Sequence, residues 1–377
     1  MIRSRAFQIA IVGLLFWGLT LSSASAKEPD SFVVHEWGTF STFSGSNGQN
    51  LKFYPNQNDL PSFVYNRFRF VKGGLTDALV SLETPVLYFY SDRDRKVSVH
   101  VDFPKGVMTD WYPEASRPPS QQLRWDDFRV LAKETPKLAM ERKPSRYFAA
   151  RETDSSYIQT TTGVDKKGEN EKFIFYRGIG DVSLPFEVKA LGHDAFSVKN
   201  TGKHAVPGHF LVNVRDGKVA FKSLGRLSPG TEEKVDLPAE ASTAEKLGDA
   251  MTALLIEQGL FEKEAKAMVK TWKSDWFGEN GTRVLYLVAE SVTAEILPLK
   301  IDPKPDHLVR VLVGRHDILT PEREVEIDAI VKQLNGDSNA ESKVADATLE
   351  KLGRYRWPTQ SAAEKRLKAR DAVRAGR

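Results

Sequence analysis

From Phe32 to about Pro238 the chain carries strand-like runs of apolar residues, cut at short intervals by turn residues, and this pattern restricts the fold to sheet-rich architectures. Val97-Ser98-Val99-His100-Val101-Asp102-Phe103 alternates with period two, so Val97, Val99, Val101 and Phe103 fall on one face and His100 on the other. Val86-Leu87-Tyr88-Phe89-Tyr90 is a continuous β-favouring run after Pro85, and the polar stretch 91–96 between the two runs reads as a hairpin turn. Lys172-Phe173-Ile174-Phe175-Tyr176, the run 186–191, Phe196-Ser197-Val198 and the run 210–214 extend the series. Asp216-Gly217 between apolar runs is a strong hairpin signal. Short strands at this spacing predict a β-sandwich-like module, closing at the turn Leu227-Ser228-Pro229-Gly230.

The composition then changes. Ser242-Thr243-Ala244-Glu245 is a capping box that opens a helix with Leu247, Met251, Leu254 and Leu255 at helical spacing. Gly259 stops it, and Glu262 to Trp272 gives a second helix, so the pair reads as a helical hairpin. Strands are expected at 283–288, 295–301 and 308–313, and Thr320-Pro321-Glu322 starts a helix running to about Leu334. The predicted class is α+β. A β-rich region (27–238) is followed by a smaller α/β region (239–336) and a basic helical tail (337–377).

Residues 1–26 carry an address. Arg3 and Arg5 precede an apolar run from Ala6 to Leu21, and Ala24-Ser25-Ala26 has the small-x-small form of a signal-peptidase site. The run is shorter than the ~20 residues of a membrane span, so the chain is expected to be exported, periplasmic or extracellular, with no span after cleavage. Cleavage after Ala26 leaves 351 of 377 residues, too many for one ordinary domain. With no cysteine, disulfides, thiolate zinc sites and a cysteine nucleophile are excluded, and packing alone must hold the fold. The composition, 41% hydrophobic, is ample for that. Residues 351–377 hold nine Lys/Arg against Glu364 and Asp371, a net of +7 on a chain whose total is +4. Such a tail suits contact with an anionic surface, or is simply a solvated helix end. Nucleic acid is not an expected partner.

The nucleophile elbow, the phosphate-loop lysine motif and the zinc helix are absent, and Gly178-Ile179-Gly180 lacks the third glycine of a dinucleotide site. No cofactor is expected, and His204 and His209 have a spacing that leaves any metal site undefined. The sharpest local feature is His35-Glu36-Trp37-Gly38-Thr39-Phe40. Histidine carries protons near neutral pH and an adjacent carboxylate can act as acid or base, yet neighbours on a strand face opposite sides. Trp111-Tyr112-Pro113, Trp125-Asp126-Asp127 and Trp276-Phe277 fall in or near predicted loops. Rings beside carboxylates grip sugars, and paired carboxylates drive glycoside hydrolysis; packing between layers is the alternative for the rings. The catalytic candidates are therefore His35, Glu36, Asp110, Asp126 and Asp127.

The strings HEWGTF (35–40), ETPVLYFYS (83–91), EKFIFYRG (171–178), WF…RVLYL (276–287) and VGRHDILTPE (313–322) resemble a family of exported bacterial proteins to which no reaction is attached. Ser41 stands where similar sequences are expected to have Thr. The resemblance implies export and marks these segments, and implies no activity. Within them Arg177, Arg283 and Arg315 sit at strand ends, where a guanidinium can hold a carboxylate or phosphate bidentately or clamp an internal carboxylate such as Glu83. The ligand-binding candidates are Trp37, Trp111, Tyr112, Trp125, Arg177, Trp276, Arg283 and Arg315. The sequence favours a binding or structural role in the bacterial envelope, with a surface polymer or a protein as ligand. The alternative is a hydrolase of polysaccharide or another envelope polymer.

Overall fold

The computed structural model describes residues 31–55, 59–67, 77–116, 120–161, 168–192, 194–238, 240–336 and 338–375. The leader expected at 1–26 lies outside them. The first strands are β1 (Phe32–Ser44), β2 (Tyr65–Asn66), β3 (Val80–Ser91), β4 (Arg95–Asp102), β5 (Gly106–Tyr112) and β6 (Gln122–Leu131). There follow β7 (Tyr157–Gln159), β8 (Asn170–Glu171), β9 (Phe173–Gly180), β10 (Phe186–Ala190), β11 (Ala195–Asn200), β12 (His209–Arg215), β13 (Lys218–Leu224) and β14 (Glu232–Asp236). The last part alternates: α1 (Ala244–Glu257), α2 (Glu262–Phe277), β15 (Gly281–Val288), α3 (Glu290–Ile296), β16 (Leu299–Asp302) and β17 (His307–Ile318). Helices α4 (Pro321–Leu334), α5 (Asn339–Glu350) and α6 (Arg356–Ala375) complete an α+β fold.

A nine-stranded sheet in the order β13-β12-β15-β17-β1-β3-β9-β5-β2 organises the molecule. β1 is buried along almost its whole length, so it needs a strand on each edge and a layer on each face. It runs parallel to β17 on one side and antiparallel to β3 on the other. The boundary expected at 238 therefore separates no sheet: β15 and β17 sit between β12 and β1, and the described residues form one compact unit. The hairpin expected at 91–96 is corrected too. β3 stays in the central sheet, whereas β4 pairs with β6 and β16 in a five-stranded sheet. The difference in pattern is the reason: β3 is buried on both faces, and β4 alternates because one of its faces meets solvent. The strand expected at 295–301 starts later than predicted: α3 runs to Ile296 and β16 begins only at Leu299. The β12–β13 hairpin forms as the Asp-Gly signal requires, with both Asp216 (φ 50°) and Gly217 (φ 75°) left-handed.

One face of the central sheet packs on the five-stranded sheet and on a three-stranded sheet (β10-β11-β14), so the sandwich draws in β15, β16 and β17 and is not confined to 27–238. Phe40, Phe89 and Leu312 meet Val99, Phe128 and Val198 in this core. Gly314 pairs with Tyr286, and a Cβ there would lie 2.2 Å from the tyrosine ring, which stacks on Phe186 at 3.7 Å. The other face carries two cores. Trp37, Tyr88 and Leu285 pack against Leu247, Met268 and Trp272 of α1 and α2. Phe43, Phe53 and Leu319 pack against Ile327, Leu349 and Ala363 of α4, α5 and α6. The basic tail is thus part of the fold. Tyr355 lies 4.5 Å from the Phe43 ring and donates to Asp317 at 2.8 Å.

Candidate functional site

His35 and Glu36 point to opposite faces of β1, as strand geometry demands, and each is committed to a structural partner. His35 Nδ1 lies 2.7 Å from Glu264, the carboxylate that also accepts from Tyr90 (2.7 Å) and from the Phe261 backbone N–H (2.9 Å) at the start of α2. The Phe261 ring covers the imidazole at 4.5 Å. This cluster docks α2 on the sheet. Glu36 is fully buried, accepts from Arg310 Nε at 2.5 Å and from the Tyr176 hydroxyl, and so has no access to substrate. The remaining acids do not join them. Asp110 on β5 is buried and accepts from Asn66 and Thr109, with burial pushing its pKa up. Asp126 and Asp127 are exposed on β6 in a different sheet, Asp126 paired with Arg124 at 3.1 Å. No pair among the five converges on a cleft, so the expected acid–base constellation is corrected. Among the described residues no group of His, Asp and Glu has metal-binding geometry.

The aromatic candidates pack. Trp37 meets Tyr88, Trp111 stacks on Tyr65 at 6.1 Å, and Tyr112 joins Phe63 at 4.9 Å. Trp125 donates to the Pro113 carbonyl at 2.9 Å, and Trp276 stacks on Trp272 at 6.0 Å. All five are buried, so none offers a platform to a ligand. The loop-like surroundings of Trp111, Tyr112 and Trp125 misled because strands β5 and β6 begin and end amid polar residues, and Trp276 lies in the last turn of α2.

The arginine candidates clamp internal carboxylates. Arg177 holds Asp59 bidentately at 2.8 and 2.7 Å. Arg283 and Arg315 share Asp317, at 3.0 and 2.7 Å, while Arg283 also donates to the carbonyls of Asp275 and Trp276. Burial alone would raise the Asp317 carboxyl, but Arg315 and Arg283 more than reverse this and hold it below the usual range. Glu83 is also clamped, though by Arg354 of the tail. These side chains form a polar belt across the helical face of the sheet, between the core under α1–α2 and the core under α4–α6.

A cleft of about 490 Å³ opens where the loop after β1 faces α6. Asn47, Gln49 and Asn50 line one side, Ser361 and Lys365 the other, and Trp357 stands at it 55% exposed. The floor is fixed: Glu324 accepts from the backbone N–H of Ser46 (3.0 Å) and from its hydroxyl (2.8 Å), and Arg366 pairs with Asp328 at 2.7 Å. Trp37, Trp111, Trp125, Trp272 and Trp276 are all buried, so Trp357 is the exception among the described tryptophans. Sequence reasoning missed it by treating 351–377 as a charged segment, although a lone tryptophan between arginine and proline was the signal. A second cleft of about 500 Å³ adjoins Ser91 and Tyr157, but Lys172 sits over the Tyr157 ring and exposes no aromatic face there.

No family model and no curated protein matches the chain. Among solved structures it is similar to the Fcho1 Mu homology domain of Danio rerio with bound Eps15 peptide, at 8% identity and a TM-score of 0.30, over 77% of this chain and 97% of that one. It is also similar to the yeast delta-COP-I mu-homology domain, at 6% identity and a TM-score of 0.30, over 77% of this chain and 98% of that one. Likeness at this level carries no argument about what the chain does.

Proposed function

We propose that the protein is an exported protein of the bacterial envelope with a binding role, and that it holds a surface polysaccharide in the Trp357 cleft. The observation that supports this reading is the exposure of one indole beside a polar cleft in a molecule that buries its other described tryptophans. An indole face stacks on the apolar face of a sugar ring, while the amides of Asn47, Gln49 and Asn50 and the Ser361 hydroxyl both donate to and accept from sugar hydroxyls. Export rests on the leader-like residues 1–26. Among the described residues no helix is long and apolar enough to cross a membrane. The hydrolytic alternative lacks a converging pair of carboxylates: Glu36 is spent on Arg310, Asp110 on Asn66 and Asp126 on Arg124, and Asp127 is exposed on β6 away from Glu36 and Asp110.

Co-sedimentation with insoluble cell-wall polysaccharide tests the proposal. Trp357→Ala is expected to weaken retention about tenfold, the value of a lost aromatic contact of about 1.4 kcal/mol, with the melting temperature held. Retention unchanged in the variant, or release of soluble sugar by the native protein, refutes it.

A further inference from the structure

The polar belt contains more hydrogen-bonding capacity than the described residues use. Thr39 and Ser41 lie on the helical face of β1, between the two cores on that side, and neither hydroxyl has a partner among the described residues. Ser41 is opposite Arg315 on β17, whose Nη1 is likewise unpartnered although the side chain is fully buried. Thr39 is opposite Glu83 on β3, whose Oε2 has no donor. Arg354 gives Nη1 to Glu83 and leaves both Nε and Nη2 unpartnered on a side chain that is 5% exposed. Arg177, whose Nη2 donates to Thr84 Oγ1 at 3.4 Å, likewise leaves its Nε unpartnered. Thr84 is itself strained, a β-branched residue at φ 52° in the irregular stretch of β3 that presents Glu83.

The chemistry of these atoms is specific. Nε and Nη2 form the side edge of a guanidinium, the fork that grips two oxygens of an oxyanion at once. Arg315 Nη1 and the hydroxyls of Thr39 and Ser41 add donors from the neighbouring strands. Among so many donors Glu83 Oε2 is a lone acceptor, and a carboxylate oxygen beside an oxyanion is tolerated when the anion itself brings a proton. Hydrogen phosphate does so at neutral pH; sulfate does not. We propose that the belt is a binding site for a proton-bearing phosphate group, held by the Arg354 fork, Arg315 and Ser41, and selected by Glu83. This site is separate from the Trp357 cleft, and its failure would leave the polysaccharide proposal standing.

The test uses the purified protein, first assayed for phosphate released on denaturation and then stripped by dialysis. Melting is followed with inorganic phosphate, a simple phosphomonoester, sulfate and acetate at matched ionic strength. Phosphate at a hundredfold excess over its Kd is expected to raise the melting temperature by about 4 °C, and sulfate to leave it unchanged. A response confined to the phosphomonoester keeps the site and assigns its phosphoryl group to an ester. Ser41→Ala, which removes no charge, is expected to weaken the phosphate Kd about tenfold. Glu83→Gln replaces the acceptor with an amide that also donates, and is expected to let sulfate bind as well as phosphate. If Glu83→Gln fails to fold, Ser41→Ala decides alone. Equal shifts from phosphate and sulfate, no response to either phosphate species, or an unchanged Kd in Ser41→Ala overturns the proposal.

Discussion

Acidification from pH 7 to pH 4.5 is expected to remove about 2 kcal/mol of folding stability through one imidazole, that of His316. This side chain is buried on β17, with Thr42 Oγ1 2.8 Å from Nδ1 and Ser44 Oγ 2.8 Å from Nε2. Thr42 also donates weakly to the Arg315 carbonyl at 3.4 Å, so the arrangement that satisfies every group has Nδ1–H donating to Thr42 and Nε2 accepting from Ser44. That arrangement needs a neutral ring. Burial lowers the His316 pKa from 6.5 to about 4, against a smaller opposing pull from Asp317. The unfolded chain therefore binds the proton more readily, and the stabilisation is complete above pH 6.5 and lost as the pH falls towards 4. At about 1.4 kcal/mol per pH unit the full effect is about 3 kcal/mol, of which about 2 falls between pH 7 and 4.5. Urea unfolding at the two pH values measures it. Burial also lowers the pKa of His209, which contributes in the same direction, so the comparison is with His316→Asn. The variant should be less stable at pH 7, for lack of the Ser44 contact, and should lose about 2 kcal/mol less than the native protein on acidification. Equal losses in the two proteins would refute the assignment.

Two further perturbations separate structural from catalytic readings. Glu36→Gln removes the charge facing buried Arg310, and a loss of about 3 kcal/mol is expected in chemical denaturation; stability unchanged would mean that Glu36 is free for other work. Ending the chain at Glu350 strips Arg354 from Glu83 and Tyr355 from the Phe43 and Phe53 rings, and should yield insoluble protein. A truncated chain melting within about 2 °C of the native one would show the tail to be an appendage.

Elements with strong local signals were legible in the sequence. The alternation of β4 and the Thr320-Pro321 start of α4 appear where the residues placed them, and α1 begins one residue later than the Ser242–Glu245 box implied, capped by Thr243. What the residues did not reveal was partnership. Val86 to Tyr90 reads as a strand, but nothing local says that it pairs with β1 and β9 and not with the neighbouring β4. The site was opaque for the same reason. Arg177 and Arg283 were recognisable as unusual, yet Asp59 and Asp317 reach them, and Arg354 reaches Glu83, only through the fold. Polarity along a sequence also does not distinguish a loop from a strand end, which is why Trp111 and Trp125 looked exposed.

The parallel pairing of β1 with β17 has a consequence for how the molecule comes into being. The first described strand cannot find its neighbour until a segment some 274 residues downstream is available, so the central sheet closes late and its loop-closure cost is met before its contacts form. Until then β1 offers a long apolar edge to any strand nearby. A nascent or proteolysed chain ending before His307 should therefore be the dangerous form of this protein, prone to pair with its own copies. A chain that stays unclosed until its last quarter is also one that can still be threaded through a narrow passage.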